Sequence, residues 1–200
     1  MTCLTTRHCS YVSDVRPDDL KRAHGRTVPD LVRPGLRVLL VGINPSLQSG
    51  ATGFHFANPS NRLWPVLELS GWTPRRLRPE ETGALLDAGL GITNLVARAT
   101  ARADELTDDE VRAGLAAVER LATTYSPTRV AFLGMGAYRV ATGDRRAAVG
   151  PVAREVGGRP AWLLPNPSGL NAGWQLPRLV EAYRDLRRAD ERRVRRDGRP

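Results

Sequence analysis

Gly42-Ile43-Asn44-Pro45 is the sharpest local signal in the chain. A proline restricts the residue before it to extended backbone, so the Asn44 amide is held in a turn where a buried strand ends. An amide cannot deprotonate water, but it can orient one. An isolated Asn-Pro ordinarily serves only its own turn; two further clusters change that weight. Gly53-Phe54-His55-Phe56 and Asn58-Pro-Ser-Asn61-Arg62-Leu63-Trp64 gather aromatics and amides in one loop, as a base-stacking pocket needs, with loop core as the alternative for the rings. Asn166-Pro167-Ser168-Gly169-Leu170 forms a tight loop with a leucine suited to probing a duplex.

These loops need a frame. Arg37-Val-Leu-Leu-Val-Gly42, Gly91-Ile-Thr-Asn-Leu-Val96, Arg129-Val-Ala-Phe-Leu-Gly134 and Ala161-Trp-Leu-Leu-Pro165 read as short buried strands. Ser60 is placed to cap a helix over Asn61 to about Ser70, and Pro79-Glu-Glu opens another towards Asp87. Thr107-Asp-Asp-Glu110 is a capping box for an amphipathic helix to about Thr124. Further helices are expected from near Gly136 and from about Leu176 to Arg188, with a loop between Ile43 and Pro59. Alternating strands and helices predict an α/β three-layer sandwich around a mostly parallel four-stranded central sheet. Ligands in such sheets bind beyond the carboxyl ends of the strands, and all four strands run into polar, Gly- or Asn-bearing turns there. Residues 1–34 read as a polar N-terminal leader of low order, 35–186 as the domain, and 187–200 as a fraying basic tail.

Composition narrows the chemistry. Thirty basic residues against 21 acidic ones give +9 and a pI near 10.8, which points to a polyanionic partner or to an arginine-rich proteome. Lys21 is the only lysine, and it lies far from any motif, which removes P-loop and Schiff-base chemistry. Cys3 and Cys9 are too few for an iron–sulfur cluster or a four-cysteine zinc site. No HExxH, CxxC or GxSxG occurs, and Gly134-Met-Gly136 lacks the third glycine of a dinucleotide fingerprint. No metal and no cofactor are expected. Without a signal core or an apolar run of membrane length, the chain reads as a cytoplasmic protein, without membrane attachment and monomeric.

The motifs together resemble the mismatch-specific uracil/thymine DNA glycosylase branch of the uracil-DNA glycosylase superfamily. The first motif of that branch, G-I-N-P, is Gly42 to Pro45; G-x-x-F and N-R-[FL]-W are Gly53 to Phe56 and Asn61 to Trp64. N-P-S-G-L is Asn166 to Leu170, about 120 residues downstream, and G-[IV]-T-x-L-V is Gly91 to Val96, with Asn94 in its variable slot. The resemblance implies that Asn44 orients a water for attack on the deoxyribose C1′. It implies a pocket of Ile43, Ser46, Phe56, Asn94, Asn166 and Ser168, with His55 auxiliary, and a wedge of Gly169 and Leu170 that meets the opposite guanine. Two departures stand out: Asn171-Ala172-Gly173 replaces the arginine common after the second motif, and Ser46 replaces a glycine. The implied activity is monofunctional removal of uracil and related pyrimidines opposite guanine in double-stranded DNA, to initiate base excision repair. A non-catalytic damage binder on the same fold and a nucleotide-handling α/β enzyme are the alternatives.

Overall fold

The computed structural model describes residues 15–197. Five strands form one sheet in the order β2-β1-β3-β5-β4. They are β1 (Val38–Gly42), β2 (Leu90–Asn94), β3 (Arg129–Leu133), β4 (Gly150–Val156) and β5 (Arg159–Leu164). β1 pairs in parallel with β2 and β3, and β3 with β5; β4 alone runs antiparallel, against β5. The α/β sandwich holds, with one strand more than the four expected. β4 escapes a periodicity reading because it is an edge strand with mostly exposed or half-buried residues. Its hairpin turns on Gly157 and Gly158, both at positive φ (57° and 71°), the conformation a two-residue hairpin demands and glycine tolerates.

Seven α-helices among the described residues complete the layers: α1 (Pro17–Ala23), α2 (Leu47–Thr52), α3 (Leu63–Leu69), α4 (Thr82–Asp87), α5 (Asp108–Tyr125), α6 (Met135–Thr142) and α7 (Leu176–Asp197). Successive residues of a strand point to opposite faces, and β1 is apolar at every position but its last. Val38 and Leu40 therefore pack with Leu63, Leu67, Leu179 and Tyr183 of α3 and α7. Leu39 and Val41 pack with Val111, Leu115 and Val118 of α5 and Tyr138 of α6. The α5 capping box forms as read, with Thr107 Oγ1 accepting from the Glu110 amide. Ser60 caps nothing; Asn61 Oδ1 instead accepts from the Leu63 amide at 2.9 Å, and α3 begins there. α2 occupies part of the expected loop, capped by Ser46, whose side chain accepts from the Ser49 amide.

The two terminal assignments need correction. Residues 15–34 are not a passive leader of low order. Ala23 and Val28 are buried, and Leu31 exchanges both backbone hydrogen bonds with Ile92 on the outer edge of β2, at 2.8 and 2.9 Å. Residues 187–197 continue α7 rather than fray, with Ala189 and Asp190 buried. The remainder of both segments, including Cys3 and Cys9, lies outside the described residues.

Candidate active site

The chain leaves β1 for β2 on one side and returns to β3 on the other, so β1 and β3 flank a switch point where loops diverge and a crevice opens. A cavity of about 230 Å³ lies there, below the ~300–1,000 Å³ typical of drug-sized pockets and suited to one small heterocycle. Its walls come from the turn after β1, the 55–61 loop, the end of β2 with residues 100–103, and the 166–170 loop. Ile43, Asn44, Ser46, His55, Phe56, Asn94, Asn166, Ser168 and Leu170 all line it. Gly169 does not line it and sits against Ser60, where the two loops touch.

Asn44 is half-buried, and its amide has one orientation. Nδ2 donates to Thr100 Oγ1 at 2.7 Å and lies 3.1 Å from the carbonyls of Pro45 and Arg98. Thr100 Oγ1 donates onward to the Arg102 carbonyl at 2.7 Å, so only a lone pair faces Asn44. With three acceptors around Nδ2, an exchange of the amide oxygen and nitrogen would set oxygen against oxygen three times. Oδ1 is thereby left as the group Asn44 offers to the cleft. The cradle is itself anchored: Arg98 Nε donates to Glu110 Oε1 at 2.6 Å, and that guanidinium holds the Glu110 carboxyl down at about 2.

Asn94 is fixed by a different relay. His55 Nε2 lies 2.9 Å from the Pro29 carbonyl, which can only accept, so the proton sits on Nε2 and Nδ1 is an acceptor. Asn94 Nδ2 donates to that Nδ1 at 3.3 Å, which turns Oδ1 towards Gly42. A Cβ on Gly42 would come within 2.3 Å of this oxygen and 3.3 Å of Phe56 Cζ, so only glycine lets the amide and the ring approach. His55 is buried, and desolvation pushes its pKa below the usual value against the opposing pull of the Pro29 carbonyl and Asp30. The imidazole is a neutral strut.

Phe56 is one of only two described non-glycine residues at positive φ (51°), a conformation that costs on the order of 1 kcal/mol or more and persists only where its surroundings enforce it. Trp64 Nε1 donates to its carbonyl at 3.1 Å and holds the ring in place beside the cavity.

The 166–170 loop hangs on Arg62. Its Nη1 donates to the Trp174 carbonyl at 2.6 Å, its Nη2 to those of Ser168 and Asn171 at 2.5 and 3.1 Å, and its Nε to that of Pro167 at 3.3 Å. Asn166 Oδ1 accepts from the Ser168 amide at 3.0 Å in a local turn, which leaves its Nδ2 as the group it can offer. Leu170 projects from the loop 85% exposed; among the described large apolar residues only Leu69, at 49%, is also exposed. Ser46 spends its hydroxyl on the α2 cap and on a 3.2 Å hydrogen bond shared with Ser49. Sequence reasoning missed Thr100, Pro29 and the clamping role of Arg62. Only Arg62 carried a signal, as a member of the Asn61 to Trp64 motif.

No acidic residue lines this cavity, and five asparagines do: Asn44, Asn58, Asn61, Asn94 and Asn166. Arg102, also in the wall, pairs with Asp104 at 2.6 Å. Among the described residues no three His, Cys, Asp or Glu side chains converge as a metal site. The arrangement can orient a water, offer donors and acceptors to a planar heterocycle, and stack on it; it has no carboxylate to act as a base.

A solution NMR structure from Methanosarcina acetivorans, provisionally named a uracil DNA glycosylase, shares this fold with a TM-score of 0.56 and 18% identity, over 82% of this chain and 98% of its own. The signature of the uracil DNA glycosylase superfamily matches residues 29–187, from the strap beside β2 to the middle of α7. The chain belongs to the uracil DNA glycosylase superfamily.

Proposed function

We propose that this chain is a monofunctional DNA glycosylase of the mismatch-specific branch, hydrolysing the N-glycosidic bond of uracil and related pyrimidines, thymine and ethenocytosine among them, paired with guanine in duplex DNA. The observation that carries the reading is the Asn44 amide, pinned through Nδ2 with Oδ1 turned to a cleft without acidic residues. Oδ1 accepts a hydrogen bond from a water and aims its lone pair at C1′. The C1′–N1 bond breaks as the sugar takes on oxocarbenium character, and the pyrimidine leaves as an anion that donors in the pocket stabilise. Once the water oxygen has bonded to C1′, its extra proton passes to the departed base or to solvent. Such a transition state asks for placement of the water rather than its prior deprotonation, which suits an amide.

Phe56 stacks on the flipped base, and Asn94 reads its edge. The His55 relay makes Asn94 Oδ1 the group presented, an acceptor that an imide N–H of uracil satisfies and that the N3 lone pair of cytosine would oppose. Ile43, Ser46, Asn166 and Ser168 complete the wall, while Gly169 and Leu170 fill the gap in the duplex and face the widowed guanine. Lys21, exposed on α1 and 3.6 Å from Asp18, is the sole lysine, so the reaction stops at an intact abasic site without a lyase step.

The test is a base-release panel on G:U, G:T, A:U and G:C duplexes, with strand breaks read before and after alkali. Alkali-dependent breaks are expected at G:U, fewer at G:T and A:U, and none at G:C. Asn44→Ala should bind G:U duplex nearly as well as the parent and release base about 10² to 10³ times more slowly. Retarded duplex without alkali-labile sites would make the protein a damage binder instead, and an Asn44→Ala variant at the parental rate would overturn the mechanism.

A further inference from the structure

Many of the described arginines are answered by acids. On α7 alone, Arg184 and Arg188 pair with Glu181, and Arg187 pairs with Glu191. Arg178, one turn before Glu181 and exposed, is held differently: its guanidinium lies over the Trp174 ring, 4.8 Å from the centroid. Stacking occupies the flat face of a guanidinium and leaves the N–H fork at its edge open. The platform is rigid, because Trp174 packs against the core and its carbonyl takes the 2.6 Å hydrogen bond from Arg62. That same Arg62 holds Pro167, Ser168 and Asn171, so the Arg178 stack and the exposed Leu170 are parts of one clamped unit. Nothing acidic stands in that stretch: between Glu155 and Glu181 the chain carries no acidic residue.

A cation over a braced aromatic ring, without a carboxylate partner among the described residues and on the same clamped segment as a protruding apolar side chain, suits an anion on the molecule that the side chain enters. We propose that Arg178, braced by Trp174, grips a backbone phosphate of the DNA next to the step where Leu170 inserts, supplying a strand contact that Asn171-Ala172-Gly173 cannot. This rests on the glycosylase reading for its DNA partner, and it assigns Arg178 to positioning the duplex, not to the chemical step.

The experiment measures affinity of the full chain for a duplex carrying a tetrahydrofuran abasic analogue opposite guanine, across 50 to 300 mM KCl. Parent, Arg178→Ala, Arg178→Lys and Arg120→Ala are compared, Arg120 being an exposed arginine on α5 away from the cleft. Loss of one phosphate contact lowers the log–log salt slope by about 0.9. Arg178→Ala is expected to show that drop, Arg178→Lys to keep the slope with weaker binding, and Arg120→Ala to match the parent. Single-turnover base release from G:U at saturating enzyme should be unchanged in Arg178→Ala, separating grip from chemistry. An unchanged slope in Arg178→Ala, or an equal drop in Arg120→Ala, overturns the assignment. If no duplex releases base yet the Arg178→Ala slope falls, the grip stands and the glycosylase reading fails.

Discussion

At the carboxyl edge of the sheet, the turn after β1 meets the 166–170 loop around a cavity of asparagines, one neutral imidazole and no carboxylate. At the amino edge of the same sheet, Arg37 donates to Asp190 Oδ2 at 2.8 and 2.6 Å, with Asp190 fully buried on α7. Arg37 also lies over Trp72 and Arg129 over Trp162, while Arg33 pairs with Asp87 at 3.0 Å. One edge is held by full charges; the other presents amides to its cavity, with the Arg98–Glu110 and Arg102–Asp104 pairs set beside them. A charged pair suits a place that must only stay put, because its strength comes from a fixed partner. On the proposed glycosylase reading, a carboxylate in the cleft would meet the phosphates of the entering DNA and oppose the departing base anion. The acidic residues are accordingly confined to other surfaces: none occurs between Asp30 and Glu68, between Asp87 and Asp104, or between Glu155 and Glu181, the segments that supply most of the cavity wall.

Breaking the ionic edge should have the largest effect. Asp190→Ala unpins the far half of α7 and strands Arg37; because the Arg37 side chain is 37% exposed and reaches water, the cost falls below that of a fully buried pair, at about 2–3 kcal/mol. Urea unfolding should show that loss, with base release per folded molecule unaltered; a change under about 1 kcal/mol would mean that apolar packing alone holds α7.

Gly42→Ala probes the amide edge with a smaller stability cost. The added methyl meets Asn94 Oδ1 at 2.3 Å, and overpacking of this kind costs about 1–3 kcal/mol. Base release should fall by at least about tenfold, since a misplaced group near a reacting centre loses up to ~10² in rate. Full activity in a stable Gly42→Ala protein would show that the Asn94 geometry is not what the cleft needs.

The smallest effect concerns pH. The folded pKa of His55 is lowered, so the unfolded chain binds its proton more readily. The contribution to stability is therefore complete above the unfolded value, near 6.5, and is lost as pH falls through the lower folded value. His55→Gln should flatten the stability profile below about pH 6.5, and an identical acid limb in the two proteins would assign that limb elsewhere.

Most of the fold is legible in the sequence because β1, β2, β3 and β5 are buried on both faces and read as plain apolar runs. β4 is not, since solvent leaves its alternation unwritten and its Gly157-Gly158 turn is the only trace. Residues 15–34 look featureless for a related reason: Leu31 pairs through backbone groups and Pro29 serves His55 through its carbonyl, and neither use constrains a side chain in a recognisable pattern. The candidate site is legible where its lining residues stand in short motifs, as at Asn44, Phe56 and Asn166. Thr100 is invisible because it meets Asn44 across 56 positions with an unremarkable hydroxyl. Arg62 is present in a motif, but its task, holding four carbonyls more than 100 residues away, appears only in three dimensions.

The strap of residues 27–31 has a consequence for how this molecule meets others. A sheet ends in unpaired backbone groups that can recruit a neighbouring chain, and proteins guard against such recruitment. Here Leu31 takes both the amide and the carbonyl of Ile92 on the β2 border, with Thr27 bridging Arg98 beside it. The opposite border, β4, carries Pro151, Arg154, Glu155 and an irregular register between Val152 and Glu155, each of which spoils a flat docking ladder. Both borders are blunted as templates for strand addition, and the expected consequence is that fibril seeding through the β2 border requires the strap to be displaced. Seeding by a chain begun at Gly35 should outpace that of the full chain, and a dye-binding time course at matched concentration would show whether the strap is the guard.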